Sequence, residues 1–154
     1  MSQQSAALED PGFLRALLNL VIPPEGPMPG AGDLDLWPAV STPIKLNPAL
    51  LASLTAGLEA LRSAALARDP GGLAALPSAQ AMEVARASSA THPELLPTIA
   101  RLTAMAYYQH PSALQALGEP ARPPFPEGFE LEQISPEWLD RLKRRAQPGP
   151  TTTA

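Results

Sequence analysis

The sequence contains no cysteine among its 154 residues. This absence excludes disulfides, thiolate nucleophiles, zinc sites with cysteine ligands and iron–sulfur clusters. Histidine is nearly as scarce, and the two examples, His92 and His110, are predicted to lie at opposite ends of one helix. At 1.5 Å per residue they would be about 27 Å apart. Because they cannot share a metal ion within one chain, we expect no metal site.

Sequence motifs of nucleotide binding and catalysis are also absent. The chain has no Gly-x-Gly-x-x-Gly, Walker loop, His-Glu-x-x-His or Gly-x-Ser-x-Gly. The carboxylate pairs Asp33/Asp35 and Glu130/Glu132 have a spacing that permits like-charge coupling, but solvated loops often contain the same spacing. We therefore expect no catalytic residue and no cofactor in this chain. A small enzyme that uses Asp33, Asp35 or His110 is the less favoured alternative.

Positive charge is in deficit, because 11 lysines and arginines face 15 acidic residues, for a net charge of −4. Nucleic-acid binding needs a basic surface, so we expect no nucleic-acid partner. No stretch approaches the roughly 18 uncharged apolar residues of a membrane span. The N-terminus also lacks the features of a secretion signal. We expect a soluble chain with no membrane span.

Proline and apolar residues are abundant, with 20 prolines and a hydrophobic fraction of 45%. A chain of this length buries roughly 68–70% of the surface that its unfolded form exposes, which allows a real core. The predicted fold is all-α, an irregular helical domain of about five or six helices joined by long proline-rich straps. We expect one domain over residues 1–154, with flexible ends at 1–9 and 147–154.

Helix starts are marked by a capping residue followed by proline. Asp10-Pro11 and Asn47-Pro48 both have this form. Apolar residues then repeat at helical spacing in the two helices, namely Phe13, Leu14, Leu17, Leu18 and Val21, and Leu51, Leu54, Leu58, Leu61 and Ala65. Proline and glycine then end the helices, at residues 23–24 and 69–72 respectively.

Four further helices are predicted from weaker signals. Ser78 is predicted to cap a third helix that runs to about residue 90. Thr91-His92-Pro93-Glu94 has the form of a capping box and precedes a fourth helix that ends at the tyrosine pair. A short helix is expected over residues 111–117, before Gly118, and a last one from Ser135.

Two proline-stiffened straps, residues 23–46 and 107–132, contain most of the aromatic residues. Large rings on a stiff chain lose little backbone entropy when they bind a partner. The candidates for partner binding are Trp37, Tyr107, Tyr108, His110, Arg122, Phe125 and Phe129. The alternative is that these rings pack against the helices of the chain itself.

The order of these features closely resembles the small subunits of the gluconate 2-dehydrogenase subunit 3 family. The match spans most of the chain and is most specific over residues 107–132. The residues that carry it are Ile22-Pro23-Pro24, Gly30-Ala31-Gly32, Tyr107-Tyr108-x-His110-Pro111, Ala116-Leu117-Gly118 and Arg122-Pro-Pro-Phe-Pro-x-Gly-Phe129.

This resemblance implies a non-catalytic accessory subunit. Such subunits accompany a large flavoprotein of the glucose-methanol-choline (GMC) oxidoreductase class, which holds FAD and oxidises a sugar, a sugar acid or another alcohol. The flavoprotein sometimes passes electrons to a cytochrome c. The small subunit has no cofactor motif and supports the folding, stability or export of the large one.

Many such subunits carry an N-terminal twin-arginine signal, which this sequence lacks. We therefore expect a cytoplasmic complex. The alternative location is the periplasm, reached on the export signal of the partner. The competing functional hypothesis is a free-standing helical adaptor unrelated to a flavoenzyme.

Overall fold

A computed structural model describes residues 5–119, together with Glu137 and Arg141, which are helical and exposed. The chain divides into two units, Met1–Pro123 and Pro124–Ala154, and residues 5–119 all belong to the first. In the described part of that unit there are six α-helices and no strand, which confirms the all-α prediction. They are α1 (Pro11–Val21), α2 (Trp37–Lys45), α3 (Pro48–Arg68), α4 (Ser78–Thr91), α5 (Leu95–Tyr107) and α6 (Pro111–Ala116). That a single domain spans the whole chain stays a prediction.

The first and third helices begin as the sequence predicts. The Asp10 carboxylate accepts a hydrogen bond from the Phe13 amide at 2.9 Å, and the Asn47 side chain accepts one from the Leu50 amide at 3.1 Å. Proline follows each cap. The first residue of a helix donates no hydrogen bond within the helix, so proline, which lacks an amide proton, loses nothing there. Local chemistry therefore determines where both helices start.

One apolar core is formed by the predicted stripes. α1 packs against α5 and two short 3₁₀ turns, Ala31–Asp33 and Gly72–Ala75, while α3 packs against α2, α4 and α5. Val21 and Leu51, at the ends of their stripes, are only half-buried. The buried apolar side chains of the three central helices are Phe13, Leu14, Leu17 and Leu18 together with Leu54, Leu58, Leu61 and Ala65, and with Leu95, Ile99 and Leu102, and α5 adds the buried Thr103 and Tyr107.

Two predicted helix starts are wrong. Ser78 is the first residue of α4 and not its cap, which is Pro77. Thr91 is the last residue of α4, where its hydroxyl donates to the Ser88 carbonyl, so the Thr91 capping box does not form. α5 begins only at Leu95. A capping box needs an extended backbone at its first residue, and here the preceding helix holds that residue in its own last turn.

Residues 5–9, within the flexible end predicted over 1–9, form a turn held against α3, and residues 1–4 lie outside the described residues. One Glu59 oxygen, Oε1, accepts from the Ser5 hydroxyl at 2.6 Å and from the Ala7 amide at 2.8 Å. Ala7 is fully buried. The prediction fails because a partner distant in sequence satisfies these polar groups, which no local pattern reveals. The other predicted flexible end, 147–154, lies outside the described residues.

The first strap is shorter than predicted, because residues 37–45 form α2. Pro38 lies in the first turn of α2, a position where proline is favoured. Pro43 lies inside the helix, where proline is normally disfavoured. Burial of Val40 and Ile44 against the core offsets that cost. The irregular segment is therefore limited to residues 22–36.

α3 is long and apolar enough to cross a membrane by length and composition, with a mean hydropathy of 1.3 over 18 residues. A core helix of a soluble protein meets the same criterion, so this finding is weak evidence for a span. Near its middle, Glu59 and Arg62 form polar contacts with Ser5 and Asp10. Charged side chains are costly inside a bilayer. The absence of a membrane span stays a prediction.

Candidate partner-binding surface

The proline- and glycine-rich segment 22–34 is held against α1 by hydrogen bonds. The Asn19 side-chain oxygen accepts from the Gly32 amide at 2.7 Å, and the Ile22 carbonyl accepts from the Ala31 amide at 2.9 Å. A Cβ atom on Gly32 would lie 2.2 Å from the backbone oxygen of Arg15. Glycine is therefore required at this position, because the two backbones touch.

An ion pair on the surface also joins this segment to α1. Arg15 Nη2 lies 2.5 Å from Asp33 Oδ1. The hydrogen bond from Arg15, with a further one from Asn19, holds the pKa of Asp33 below its ordinary value of 3.8. The pair is largely exposed, so it contributes little to stability by itself. Asp33 is thus occupied by Arg15, which weakens the alternative that it acts as a catalytic acid or base.

Tyr107 is a core residue, which corrects its assignment as a partner-binding candidate. It ends α5, its side chain is 0% exposed, and its hydroxyl donates to the Pro29 carbonyl at 2.7 Å. Burial raises the pKa of this hydroxyl above its ordinary value of 10.0. Tyr107 therefore connects α5 to the segment 22–34. The short helix predicted over residues 111–117 is present as α6, so the start of the second strap is helical, and its part beyond residue 119 lies outside the described residues.

Tyr108, the next residue, has the opposite environment. Its side chain is 54% exposed, and its ring meets the Tyr107 ring edge to face with centroids 5.2 Å apart. Met105 lies one helical turn earlier and is 53% exposed, and Leu117, at the end of α6, is 50% exposed. We call Met105, Tyr108 and Leu117 the α5–α6 apolar surface. Sequence reasoning missed Met105 and Leu117, because exposure depends on packing of the neighbouring helices.

His110 caps α6. Its Nδ1 accepts a hydrogen bond from the Ser112 amide at 3.2 Å, and Pro111 occupies the first helical position. The imidazole is half-buried. This arrangement gives His110 a structural role at the start of α6. Within residues 5–119, no acidic or basic side chain forms a hydrogen bond with its imidazole, as a general acid or base would require.

The remaining candidates fall into two groups. Trp37 begins α2 and is half-buried, with its ring packed against the core. Arg122, Phe125 and Phe129 lie outside the described residues. Over residues 5–119 no group of three or more histidine and acidic side chains forms a possible metal site. The absence of metals and cofactors from the chain stays a prediction.

The carboxylates of Asp10, Asp33 and Glu59 are expected to make the stability of the fold sensitive to acid. The Phe13 amide lowers the pKa of Asp10, and the Ser5 hydroxyl lowers that of Glu59, as Arg15 does for Asp33. A carboxylate whose pKa is depressed on folding stabilises the protein above its unfolded pKa. We therefore expect stability to be constant above about pH 5 and to fall progressively below it.

Urea unfolding followed by circular dichroism between pH 7 and pH 3 measures this effect. Glu59→Gln should be less stable at pH 7 and should lose less on acidification. Glu94→Gln makes the same charge change at an exposed side chain and should behave as the unmodified protein. Equal stability of the unmodified protein at pH 7 and pH 3 would contradict the expectation.

Comparison with known proteins identifies no relative, since no family model, no curated protein and no solved structure matches this chain. The resemblance to the gluconate 2-dehydrogenase small subunits thus depends on the motif residues alone. Of these motifs, all but Arg122-Pro-Pro-Phe-Pro-x-Gly-Phe129 lie within the described part, where Tyr107 joins α5 to the segment that contains Gly30-Ala31-Gly32 through the Pro29 carbonyl.

Proposed function

We propose that this chain is a non-catalytic accessory subunit that binds and stabilises a large FAD-dependent alcohol or sugar dehydrogenase of the GMC class. The observation that carries the proposal is the contrast within one motif, where Tyr107 is fully buried and Tyr108 is 54% exposed. A core tyrosine explains the first position but not the second. Exposed tyrosine and methionine side chains are enriched where proteins bind one another.

The fixed position of α5, whose C-terminal end carries Met105 and Tyr108, supports the proposal. Tyr107 joins α5 to residues 22–34, which in turn are joined to α1. A surface fixed before binding loses less entropy when a partner docks. A stable interface buries about 1,200–2,000 Å² in total, so three residues supply only its centre. In this proposal Arg122, Phe125 and Phe129, which follow in sequence, supply more of it.

The proposal assigns the chemistry to the partner. FAD and the sugar or alcohol would bind to the large subunit, in the cytoplasm or, with export on the partner's signal, in the periplasm. A cytochrome c would be reached only through the flavoprotein. This chain would contribute apolar surface that keeps the large subunit folded.

Co-expression with the flavoprotein encoded beside this chain tests the proposal. We expect both chains to elute together on gel filtration, with the absorbance of bound flavin. Replacing Met105, Tyr108 and Leu117 together with Ser should weaken the complex by at least about tenfold, because central apolar residues dominate binding energy. The matched control replaces Leu46 and Leu66, which are exposed at other helices, with Ser. This control should retain the complex.

A colourless peak of this chain alone would contradict the proposal.

The free-standing adaptor is the second candidate, and the burial of Tyr107 within the chain's own core is the observation that favours it. It predicts a monodisperse monomer in which residues 22–36 resist proteolysis without any partner. Equal weakening of the complex by the Leu46 and Leu66 control would show that general apolar exposure, and not this surface, drives association.

A further inference from the structure

A second feature of the surface is a pocket of about 430 Å³ between α1 and the start of α2. One wall comes from α1 and includes Arg15. The opposite wall comes from the turn before α2 and from its first two residues. The lining of the pocket includes Pro11, Arg15, Asp33, Asp35, Trp37 and Pro38.

The pocket carries one carboxylate in excess. Arg15 is paired with Asp33 at 2.5 Å, so their charges offset each other. Asp35 is exposed and forms no ion pair or side-chain hydrogen bond with any other described residue. Its backbone has a φ of 47°, a left-handed conformation that glycine adopts at lower cost. The pocket thus presents a negative group with no partner of its own in this part of the chain.

Trp37 adds a second feature that suits a cation. Its indole lines the same pocket and is only half-buried. A guanidinium or ammonium group close to an indole face is attracted by the negative charge of the ring face. Pro11 and Pro38 also line the pocket and are exposed, so they provide apolar surface against which the methylene groups of a long basic side chain can pack.

We propose that this pocket receives an arginine or lysine side chain of the partner subunit, which pairs with Asp35 and lies against Trp37. The inference depends on the proposed function for the identity of the partner. An apolar side chain would remove water from Asp35 without replacing its hydrogen bonds, which is costly. An acidic side chain would be repelled by the excess carboxylate. A basic side chain can pair with Asp35 and pack its methylene groups against the apolar lining. Because a planar guanidinium stacks on the flat indole, arginine is favoured over lysine.

Titration of the isolated chain with N-acetyl-arginine amide tests the pocket without the partner. In proton–nitrogen spectra we expect the indole N–H resonance of Trp37 to shift progressively as the ligand concentration rises, with weak affinity, because a single exposed ion pair contributes little by itself. Asp35→Asn keeps the side-chain size, and Asn tolerates a positive φ, so the variant should fold. It should weaken binding several-fold. Glu94→Gln, with the same charge change, should bind as the unmodified chain does.

The heterocomplex provides the second measurement. We expect Asp35→Asn and Trp37→Leu each to raise its dissociation constant by about tenfold, and Asp35→Asn to reduce its dependence on salt. A complex that forms equally well with both variants overturns the inference and leaves the proposed function standing. If the unmodified chain forms no complex, the proposed function fails, and the arginine titration alone then decides whether the pocket prefers a cation. The absence of any Trp37 shift also overturns the inference.

Discussion

Replacing Tyr107 with Ala is expected to lower the free energy of unfolding by about 3–5 kcal/mol, the usual range for removing a buried aromatic ring. The side chain is 0% exposed, so its loss leaves a cavity among packed helices. It also removes the donor that satisfies the Pro29 carbonyl. In a chain of this size the melting temperature should fall by roughly 10 °C or more. Thermal unfolding followed by circular dichroism measures the change.

Two matched variants separate the contributions of Tyr107. Tyr107→Phe keeps the ring and removes only the hydroxyl, so it should lower the free energy of unfolding by about 1–2 kcal/mol. Tyr108→Ala removes the same kind of ring from an exposed site and should change stability by less than about 1 kcal/mol. Equal losses for the two alanine variants would show that Tyr107 does not have the buried position described above.

Replacing Gly32 with Ala is expected to lower the free energy of unfolding by about 1–3 kcal/mol, as overpacking does elsewhere. The new Cβ atom would lie 2.2 Å from the Arg15 carbonyl oxygen and 2.9 Å from its Cγ. The carbonyl belongs to the backbone of α1 and cannot move by a side-chain rotation. The segment 22–34 must therefore shift, which also strains the hydrogen bond from the Gly32 amide to Asn19.

Gly12→Ala is the control for this effect and should change stability in the opposite direction. Gly12 lies in the first turn of α1, and its nearest atom to an added Cβ is Asp10 Oδ1, at 3.5 Å. That distance is ordinary contact, so the higher helix propensity of alanine should stabilise the chain by up to about 1 kcal/mol. Urea unfolding of both variants measures the contrast. A stabilising Gly32→Ala would contradict the close approach of the two backbones.

Gly32→Ala also connects stability to the proposed function. Because the segment 22–34 joins Tyr107 to α1, its displacement should loosen α5 and the surface that includes Tyr108. We therefore expect the variant to bind the flavoprotein less tightly than Gly12→Ala does. The affinity comparison belongs at a temperature well below both melting transitions, where both variants remain folded.

The helices were predictable from sequence where their signals are local. Asp10 and Asn47 each cap a helix whose first amides lie three residues away. The apolar stripes of α1 and α3 follow the helical period, and both helices end within a residue or two of the predicted breakers. These predictions succeed because hydrogen bonds and periodicity within a few residues decide them.

Most of the wrong predictions concern contacts between residues distant in sequence. Ser5 and Ala7 are held by Glu59, more than 50 residues away, so the N-terminal segment is ordered. Residues 37–45 are helical because burial of one face against the core outweighs their prolines. Thr91 matched a capping box, but α4 extends through it. In the first two cases contacts distant in sequence outweigh the local preference of the residues, and in the third the preceding helix holds the residue that would have been the cap.

The candidate surface shows the same limit within two neighbouring residues. The all-α class, the capped helices and the absence of cysteine follow from the sequence alone. In the sequence, Tyr107 and Tyr108 are also equivalent rings in one motif. Only the tertiary structure placed Tyr107 against Pro29 and left Tyr108 exposed. Successive residues on a helix point about 100° apart, and the position of the neighbouring segments determines which of the two is buried.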